Sequence, residues 1–113
     1  NYNNMNKHKK FLYFRTAAST AIMVPASQIF FIDSEADDTI TFYASDSEGD
    51  AGTQVDIEMT INTGGKHEAI YETIVNAINS SNGGMIVIGD DITGDYINPD
   101  ITAVGAFTNV TSS

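Results

Sequence analysis

The stretch QVDIEMTI, residues 54–61, alternates apolar and polar side chains without a break. Successive side chains of a β-strand point to opposite faces of the sheet, so this pattern predicts a strand with one buried face and one face in water. A strand of this kind is typical of an antiparallel sheet. Residues 39–45 show the same alternation, and together the two stretches predict a hairpin within residues 39–62.

Further apolar runs on both sides of this hairpin predict more strands. They lie at residues 10–16, 21–24, 28–32, 85–89 and 101–110. Residues 85–89 are almost wholly apolar, which predicts a central strand that is buried on both faces. Gly105 interrupts the last run, and we expect a bulge or a close approach of backbone there.

One amphipathic helix is predicted at residues 66–80. Ile70, Ile74 and Ile78 recur at a spacing of four, which places an apolar stripe along one side of a helix. The glycines at positions 83 and 84 end it, because glycine tolerates the left-handed cap. The elements together predict an α+β fold: a mostly antiparallel sheet of about six or seven strands with one helix packed on one face.

The charged residues are segregated along the chain. Four of the five basic residues, Lys7, Lys9, Lys10 and Arg15, precede position 16, and all fifteen acidic residues follow position 32. We therefore divide the chain into a basic N-terminal arm, residues 1–9, and a single domain, residues 10–113. The opposite charges of one copy attract those of another, so this pattern predicts self-assembly.

Composition excludes several other classes of function. The net charge of −10 disfavours nucleic acid as a partner, since binding phosphates requires a cationic face. The chain has no cysteine, which excludes disulfides and thiolate ligands. No apolar run approaches the ~20 residues that span a bilayer, so we expect no membrane partner. The basic start followed by residues 11–14 is similar to a secretory signal, but Arg15 interrupts the apolar part and we expect the segment to be retained.

Two acidic loops are candidates for cation binding. Asp90, Asp91 and Asp95 follow the predicted central strand, and Asp100 ends the same loop. Carboxylates are the ligands that hard cations prefer. Asp, Gly, Asn and Pro also form turns for conformational reasons alone, and that interpretation is the stronger one.

The second loop, residues 46–50, carries Asp46, Glu48 and Asp50 at alternating positions, as calcium loops do at their start. Ile57 occupies the place of the final bidentate glutamate, which favours an ordinary hairpin turn. We predict no cofactor and no confident metal site.

Motifs for catalysis are missing from the sequence. It contains no G-x-S-x-G elbow, and neither His8 nor His67 lies in a triad or metal motif. Gly64, Gly65 and Lys66 lie at the start of the helix, but the full phosphate-loop spacing is absent. We therefore predict that the protein is not an enzyme.

Three blocks of sequence carry a resemblance to a known group of proteins. They are KFLYFRT at residues 10–16, the helix segment at residues 68–80, and IGDDITGDYINPDIT at residues 88–102. The chain resembles small virion-associated structural proteins encoded by tailed phages of marine cyanobacteria. The resemblance spans most of the chain, although the four residues before Met5 depart from it. It implies a component of an extracellular virion and no catalytic residues.

From the residues and the resemblance we expect a non-enzymatic subunit of a bacteriophage virion, a small capsid-associated or decoration protein that assembles through its basic and aromatic N-terminal arm. Its partners would be copies of itself, a larger shell protein, or both. Two alternatives stay open: a subunit of an extracellular filament or surface layer, and a small acidic binding module. Aromatic side chains and Arg often anchor interfaces, so the predicted contact residues are Lys9, Phe11, Tyr13, Phe14 and Arg15.

Overall fold

The computed structural model describes residues 9–45 and 54–108 of the chain. These residues form eight strands and one α-helix. The strands are β1 Lys10–Ala17, β2 Thr20–Pro25, β3 Ile29–Asp33, β4 Thr39–Ser45, β5 Gln54–Ile61, β6 Gly84–Asp90, β7 Asp95–Tyr96 and β8 Ile101–Thr108, and the helix α1, His67–Ser80, lies between β5 and β6. The α+β class with mostly antiparallel pairing is confirmed.

The expected single sheet of about six or seven strands is wrong. Sheet A has the strand order β2-β1-β6-β7, and sheet B has the order β3-β4-β5-β8. The division begins at Pro25, which has no amide hydrogen for a ladder, and a short 3₁₀ turn at Ala26–Gln28 then leads the chain from sheet A to sheet B. Helix α1 returns the chain to sheet A, where β6 pairs with β1 in parallel. A parallel neighbour requires such a crossover connection.

The core is built from inward-facing residues of both sheets. Leu12 and Phe14 of sheet A and Phe42, Ile57 and Met59 of sheet B are fully buried in one cluster. The rings of Phe14 and Phe42 meet edge to face, with centroids 5.0 Å apart. Such a pair adds about 0.5–1.5 kcal/mol beyond the apolar area that it buries. The two sheets therefore pack face to face around this pair, and β8 of sheet B also lies close to β1 and β6 of sheet A.

Helix α1 contributes to the same core. Ile70 and Ile74 are buried, as the predicted stripe requires, and Ile78 packs against the cluster. The Tyr71 and Ser34 hydroxyls are hydrogen-bonded to each other, which ties the helix to the end of β3. The Lys10 ammonium donates to the carbonyl of Ile78, which ties the end of the helix to the start of β1.

Two glycines allow backbone to approach closely. A Cβ on Gly89 would lie 2.6 Å from Cε of Met59 and 2.8 Å from Cγ2 of Val104, so the missing side chain lets β6 approach sheet B. A Cβ on Gly105 would lie 2.8 Å from the carbonyl oxygen of Glu58. The register between β5 and β8 also shifts beside Gly105, so the predicted bulge is confirmed.

The β6 strand departs from its prediction at one end. It is central, between β1 and β7, and Ile88 to Asp90 are buried. Met85, however, is 55% exposed, so the strand is not covered on both faces along its length. This exposed end lies on the outer side of sheet A.

Candidate interaction surface

The outer face of sheet A is apolar. Along β1, Leu12 and Phe14 point into the core, and Phe11 and Tyr13 therefore point away from it. Phe11 lies between Pro25 of β2 and Met85 of β6, and Tyr13 lies between Met23 and Val87 on the same two strands. We call this surface the apolar face; its residues are Phe11, Tyr13, Met23, Pro25, Met85 and Val87.

None of these six side chains packs against the core cluster. Met23 is 49% exposed, and the other residues of the apolar face are exposed or half-buried. A contiguous exposed apolar patch on a small protein marks a surface for interaction. Within residues 9–45 and 54–108, the apolar face is therefore a candidate surface for contact with another molecule.

The outer face of sheet B is largely polar where β4 and β5 lie side by side. Opposite one another on β4 and β5 lie Thr39 and Thr60, Thr41 and Glu58, and Tyr43 and Asp56. A sheet face in water is ordinarily polar, as this one is. The contrast holds between the apolar face of sheet A and the part of sheet B that β4 and β5 form.

Cationic residues lie at both ends of β1 beside the apolar face. The Lys9 ammonium lies 5.7 Å from the centre of the Phe11 ring, a cation–π distance. Nη1 of Arg15 lies 3.7 Å from Oδ2 of Asp90, and Nη2 donates to the carbonyl of Ala18 at 3.1 Å. Lys9 extends the surface with positive charge, whereas Arg15 is held in place by its own chain.

The predicted contact residues are thus divided between two locations. Lys9, Phe11, Tyr13 and Arg15 lie on or beside the apolar face. Phe14 is fully buried and contacts the core, so it belongs to the fold and not to a surface. Of the predicted arm, residues 1–9, only Lys9 falls within the described residues.

The carboxylate of Asp90 closes a turn. Its Oδ1 accepts hydrogen bonds from the amides of Ile92 at 2.9 Å and Thr93 at 3.2 Å. Burial opposes ionisation of this carboxyl, but the two amide hydrogen bonds and the nearby Arg15 hold its pKa below the ordinary value. The carboxylate of Asp90 therefore already has hydrogen-bond partners in its own loop and an ion-pair partner in β1.

The carboxylate of Asp91 joins the two sheets. Its Oδ1 accepts a hydrogen bond from the Tyr96 hydroxyl at 2.7 Å in sheet A and from the Val104 amide at 2.9 Å in sheet B. The hydrogen bond to Asp91, together with burial, raises the pKa of Tyr96 to about 12. Asp91 therefore has a structural role between β7 and β8.

The remaining acidic candidates give no metal centre in the described ranges, 9–45 and 54–108. Asp95 is exposed opposite Asp90 in the ladder, and Oδ1 of Asp100 accepts from the side-chain amide of Asn62 at 3.0 Å. No group of three or more His, Cys, Asp or Glu side chains in that part of the chain could hold a metal ion. The loop with Asp46, Glu48 and Asp50 lies outside the described residues.

The glycine amides before α1 bind an anionic group of the protein itself. Oδ2 and Oδ1 of Asp37 accept from the amides of Gly64 at 2.9 Å and Gly65 at 3.0 Å. These two hydrogen bonds lower the pKa of Asp37. The resemblance of Gly64-Gly65-Lys66 to a phosphate loop is thus explained by a contact between the β3–β4 turn and the start of the helix.

A second exposed apolar group lies on sheet B, and sequence reasoning missed it. The register of β3 and β4 shifts between Ile29 and Phe31, which makes Phe30 an extra residue in the strand. The rings of Phe30 and Phe31 lie 6.3 and 5.6 Å from the ring of Tyr43. We call Phe30, Phe31 and Tyr43 the aromatic cluster. The adjacent aromatics in the run IFFI were the available signal, because a regular strand directs only one of two consecutive side chains outward.

Acidic side chains lie around the aromatic cluster. The Tyr43 hydroxyl donates to Oδ1 of Asp33 at 3.2 Å, and Asp56 lies opposite Tyr43 on β5. Burial raises the pKa of Tyr43 most, and the charge and hydrogen bond of Asp33 raise it further. The charges of Glu35 and Asp56 act in the same direction. The cluster therefore lies in a negative potential, unlike the apolar face.

Comparisons with protein-family models, with curated proteins and with solved structures found no match to this chain. In the described part of the chain, no helix has the length and apolar character that a membrane span requires. The geometry of the two surfaces is therefore the main evidence on function.

Proposed function

We propose that this protein is a non-enzymatic structural subunit of a bacteriophage virion, a small capsid-associated or decoration protein. The apolar face docks on a larger protein of the particle shell. The single observation that carries the proposal is the contrast between the outer faces of the two sheets, one apolar around Tyr13 and one polar around Thr41. A subunit that binds a shell through one face presents apolar side chains there, whereas the surface of β4 and β5 on the other sheet is largely polar.

The composition of the apolar face supports this function. It presents two aromatic rings, Phe11 and Tyr13, between two flexible methionine side chains, Met23 and Met85. Aromatic residues dominate the energetics of interfaces, and methionine adapts to irregular partner surfaces. Lys9 adds a positive charge at one end, which favours a shell surface with acidic groups.

The organisation of the chain supports the same proposal. Most of its basic residues precede β2, whereas its acidic residues begin in β3, so the two parts favour different neighbours. The resemblance of three sequence blocks to virion-associated phage proteins points in the same direction. The carboxylates of Asp90 and Asp91 serve the fold, which removes the reason to assign them a ligand.

Occupancy of virions tests the proposal. Tagged protein is produced during infection by the phage that encodes it, and its copies per gradient-purified particle are counted by quantitative mass spectrometry. We expect the double variant Met23→Lys/Met85→Lys to lose at least about tenfold in occupancy, because two desolvated charges oppose docking. Absence of the wild-type chain from purified particles, or unchanged occupancy of this variant, overturns the proposal.

A matched control keeps the added charge and changes its place. Thr60 on the outer face of sheet B and Asn76 on α1 are both exposed. The double variant Thr60→Lys/Asn76→Lys adds the same two charges away from the apolar face and should retain wild-type occupancy. Equal losses for the two double variants would indicate an effect of net charge and not of docking.

A further inference from the structure

We infer that the aromatic cluster on sheet B binds the apolar face of a second copy of this chain, so that copies join head to tail. The inference rests on the proposed function in one respect, namely that the apolar face is a docking surface. It goes further because it names a second surface on the same molecule and commits to its occupant. In a row of copies joined in this way, one terminal copy keeps its apolar face free, and that copy docks on the shell protein.

The β-bulge in β3 creates the second surface. Ile29 pairs with Ala44 and packs against the core, whereas Phe31 pairs with Tyr43 on the outer side. The extra residue, Phe30, also comes within ring contact of Tyr43, so two consecutive aromatic side chains are exposed together. Phe30 is 57% exposed and Phe31 is 53% exposed. A regular strand would have placed one of them in the core.

The charges around the two surfaces are complementary. Asp33, Glu35 and Asp56 surround the aromatic cluster. Lys9 gives one end of the apolar face a positive charge, whereas at the other end Arg15 is paired with Asp90 and exposed Asp95 lies opposite Asp90. Apolar contact between these surfaces therefore brings unlike charges together around its edge. Such complementarity raises the association rate and suppresses wrong pairings.

The charges also disfavour the symmetric alternatives. Two apolar faces in contact with each other leave Lys9 away from the three carboxylates that surround the aromatic cluster. Two aromatic clusters facing each other bring together the carboxylates of Asp33 and Asp56. Like charges in apposition cost binding energy, so the unlike surfaces pair in preference.

The geometry of one copy makes the contact intermolecular. The apolar face and the aromatic cluster lie on the outer sides of two sheets that share one core, so a single copy cannot bring them together. The contact is heterologous, because different surfaces of the two copies meet. Repetition of a heterologous contact closes into a ring or continues as a filament.

Two surface variants of the full-length chain test the inference. Met23→Lys/Met85→Lys blocks the apolar face, and Phe30→Ser/Phe31→Lys blocks the aromatic cluster. All four side chains are large, exposed hydrophobics, so neither variant removes a buried contact. Masses are measured by sedimentation velocity at an ionic strength of about 10 mM and again at about 0.5 M, where screening is nearly complete beyond a few ångströms.

The two variants differ in a way that identifies the contact. We expect the wild type to form oligomers at low salt that weaken at high salt, and each variant alone to remain at the monomer mass of 12.2 kDa. Each variant retains the surface that the other lacks, so their equimolar mixture should form a dimer of twice that mass and nothing larger. A heterologous contact alone gives this result.

Several results would overturn the inference. They are a monomeric wild type at low salt, oligomers formed by either variant alone, and a mixture that remains monomeric. The proposed function has a separate readout, because the aromatic-cluster variant retains the apolar face. If that variant remains monomeric in all conditions but still occupies virions, the proposed function stands; if the head-to-tail dimer forms but no chain enters virions, the inference stands alone.

Discussion

The carboxylate of Asp91 lies within 2.7 Å of the Tyr96 hydroxyl oxygen and also accepts the amide of Val104 from the opposite sheet. One acidic side chain thus connects the edge of sheet A to β8 of sheet B. Sequence analysis assigned Asp91, Asp90 and Asp95 together as candidate cation ligands. The geometry distinguishes them by the groups that they contact.

Replacement of Asp91 by alanine should destabilise the fold strongly. The change leaves the Tyr96 hydroxyl and the Val104 amide without their acceptor, and we expect a loss of about 2–4 kcal/mol in the free energy of unfolding. Urea denaturation followed by circular dichroism gives the value. Asp95→Ala is the matched control, because this carboxylate is exposed, and its effect should stay within about 0.5 kcal/mol. Equal effects of the two substitutions would refute the structural role of Asp91.

The protonation of Tyr96 should make stability depend on pH in the alkaline range. Its folded-state pKa is raised to about 12, chiefly by the hydrogen bond that it donates to Asp91. The unfolded value is about 10. The folded state therefore favours the protonated phenol, and this stabilisation is full below pH 10 and is lost as the pH rises toward 12.

Unfolding measurements between pH 8 and pH 12 check this dependence, with the ionisation of tyrosine followed by its ultraviolet absorbance. Tyr96→Phe cannot lose the proton, so its stability should fall less steeply above pH 10 than that of the wild type. Parallel curves of stability against pH for the two proteins would show that another group causes the loss of stability at alkaline pH.

Phe14 and Phe11 should respond differently to truncation, although both were predicted as contact residues. Phe14→Ala removes a fully buried ring and its contact with Phe42, which should cost about 3–5 kcal/mol of stability. Phe11→Ala removes a ring from the apolar face and should cost about 1 kcal/mol or less. Thermal and urea unfolding of both variants measure the difference. If Phe11→Ala were as destabilising as Phe14→Ala, the apolar face would belong to the fold and not to an interface.

Gly89 should tolerate no side chain. Gly89→Ala places a methyl group within 2.8 Å of Cγ2 of Val104 and nearer still to Cε of Met59. Overpacking of this kind costs about 1–3 kcal/mol. In a double-mutant cycle, Val104→Ala should offset part of that loss because it removes the nearest rigid atom. Strictly additive effects would show that the two positions do not touch.

Much of the fold was predictable because the spacing of apolar residues along the sequence indicates which side chains are buried. The alternation at residues 54–61 matches β5, and the stripe with Ile70 and Ile74 matches α1. Strand partners were not predictable in this way. Nothing in the apolar run of β6 indicates that it pairs in parallel with β1, and β7 contains only Asp95 and Tyr96, too few residues to show a period.

The candidate surface was predictable only in part for the same reason. Phe11, Tyr13 and Arg15 are consecutive odd positions of one strand, so their common side follows from sequence alone. Met23 and Met85 join them through the registers of β2 and β6 with β1, which depend on the folded sheet. The exposure of both Phe30 and Phe31 depends on a bulge, and alternation assumes that no residue is inserted.

The parallel pairing of β1 with β6 has a consequence for synthesis of the protein. Strand β1 pairs with β6, which begins only at Gly84. More than half of the polypeptide therefore emerges from the ribosome before sheet A can be completed. The β4–β5 hairpin needs only nearby residues and can form first. Contacts between distant parts of a chain slow folding, and an incomplete sheet edge exposes apolar surface meanwhile. Nascent chains of this protein are therefore expected to be clients of chaperones until β6 has been translated.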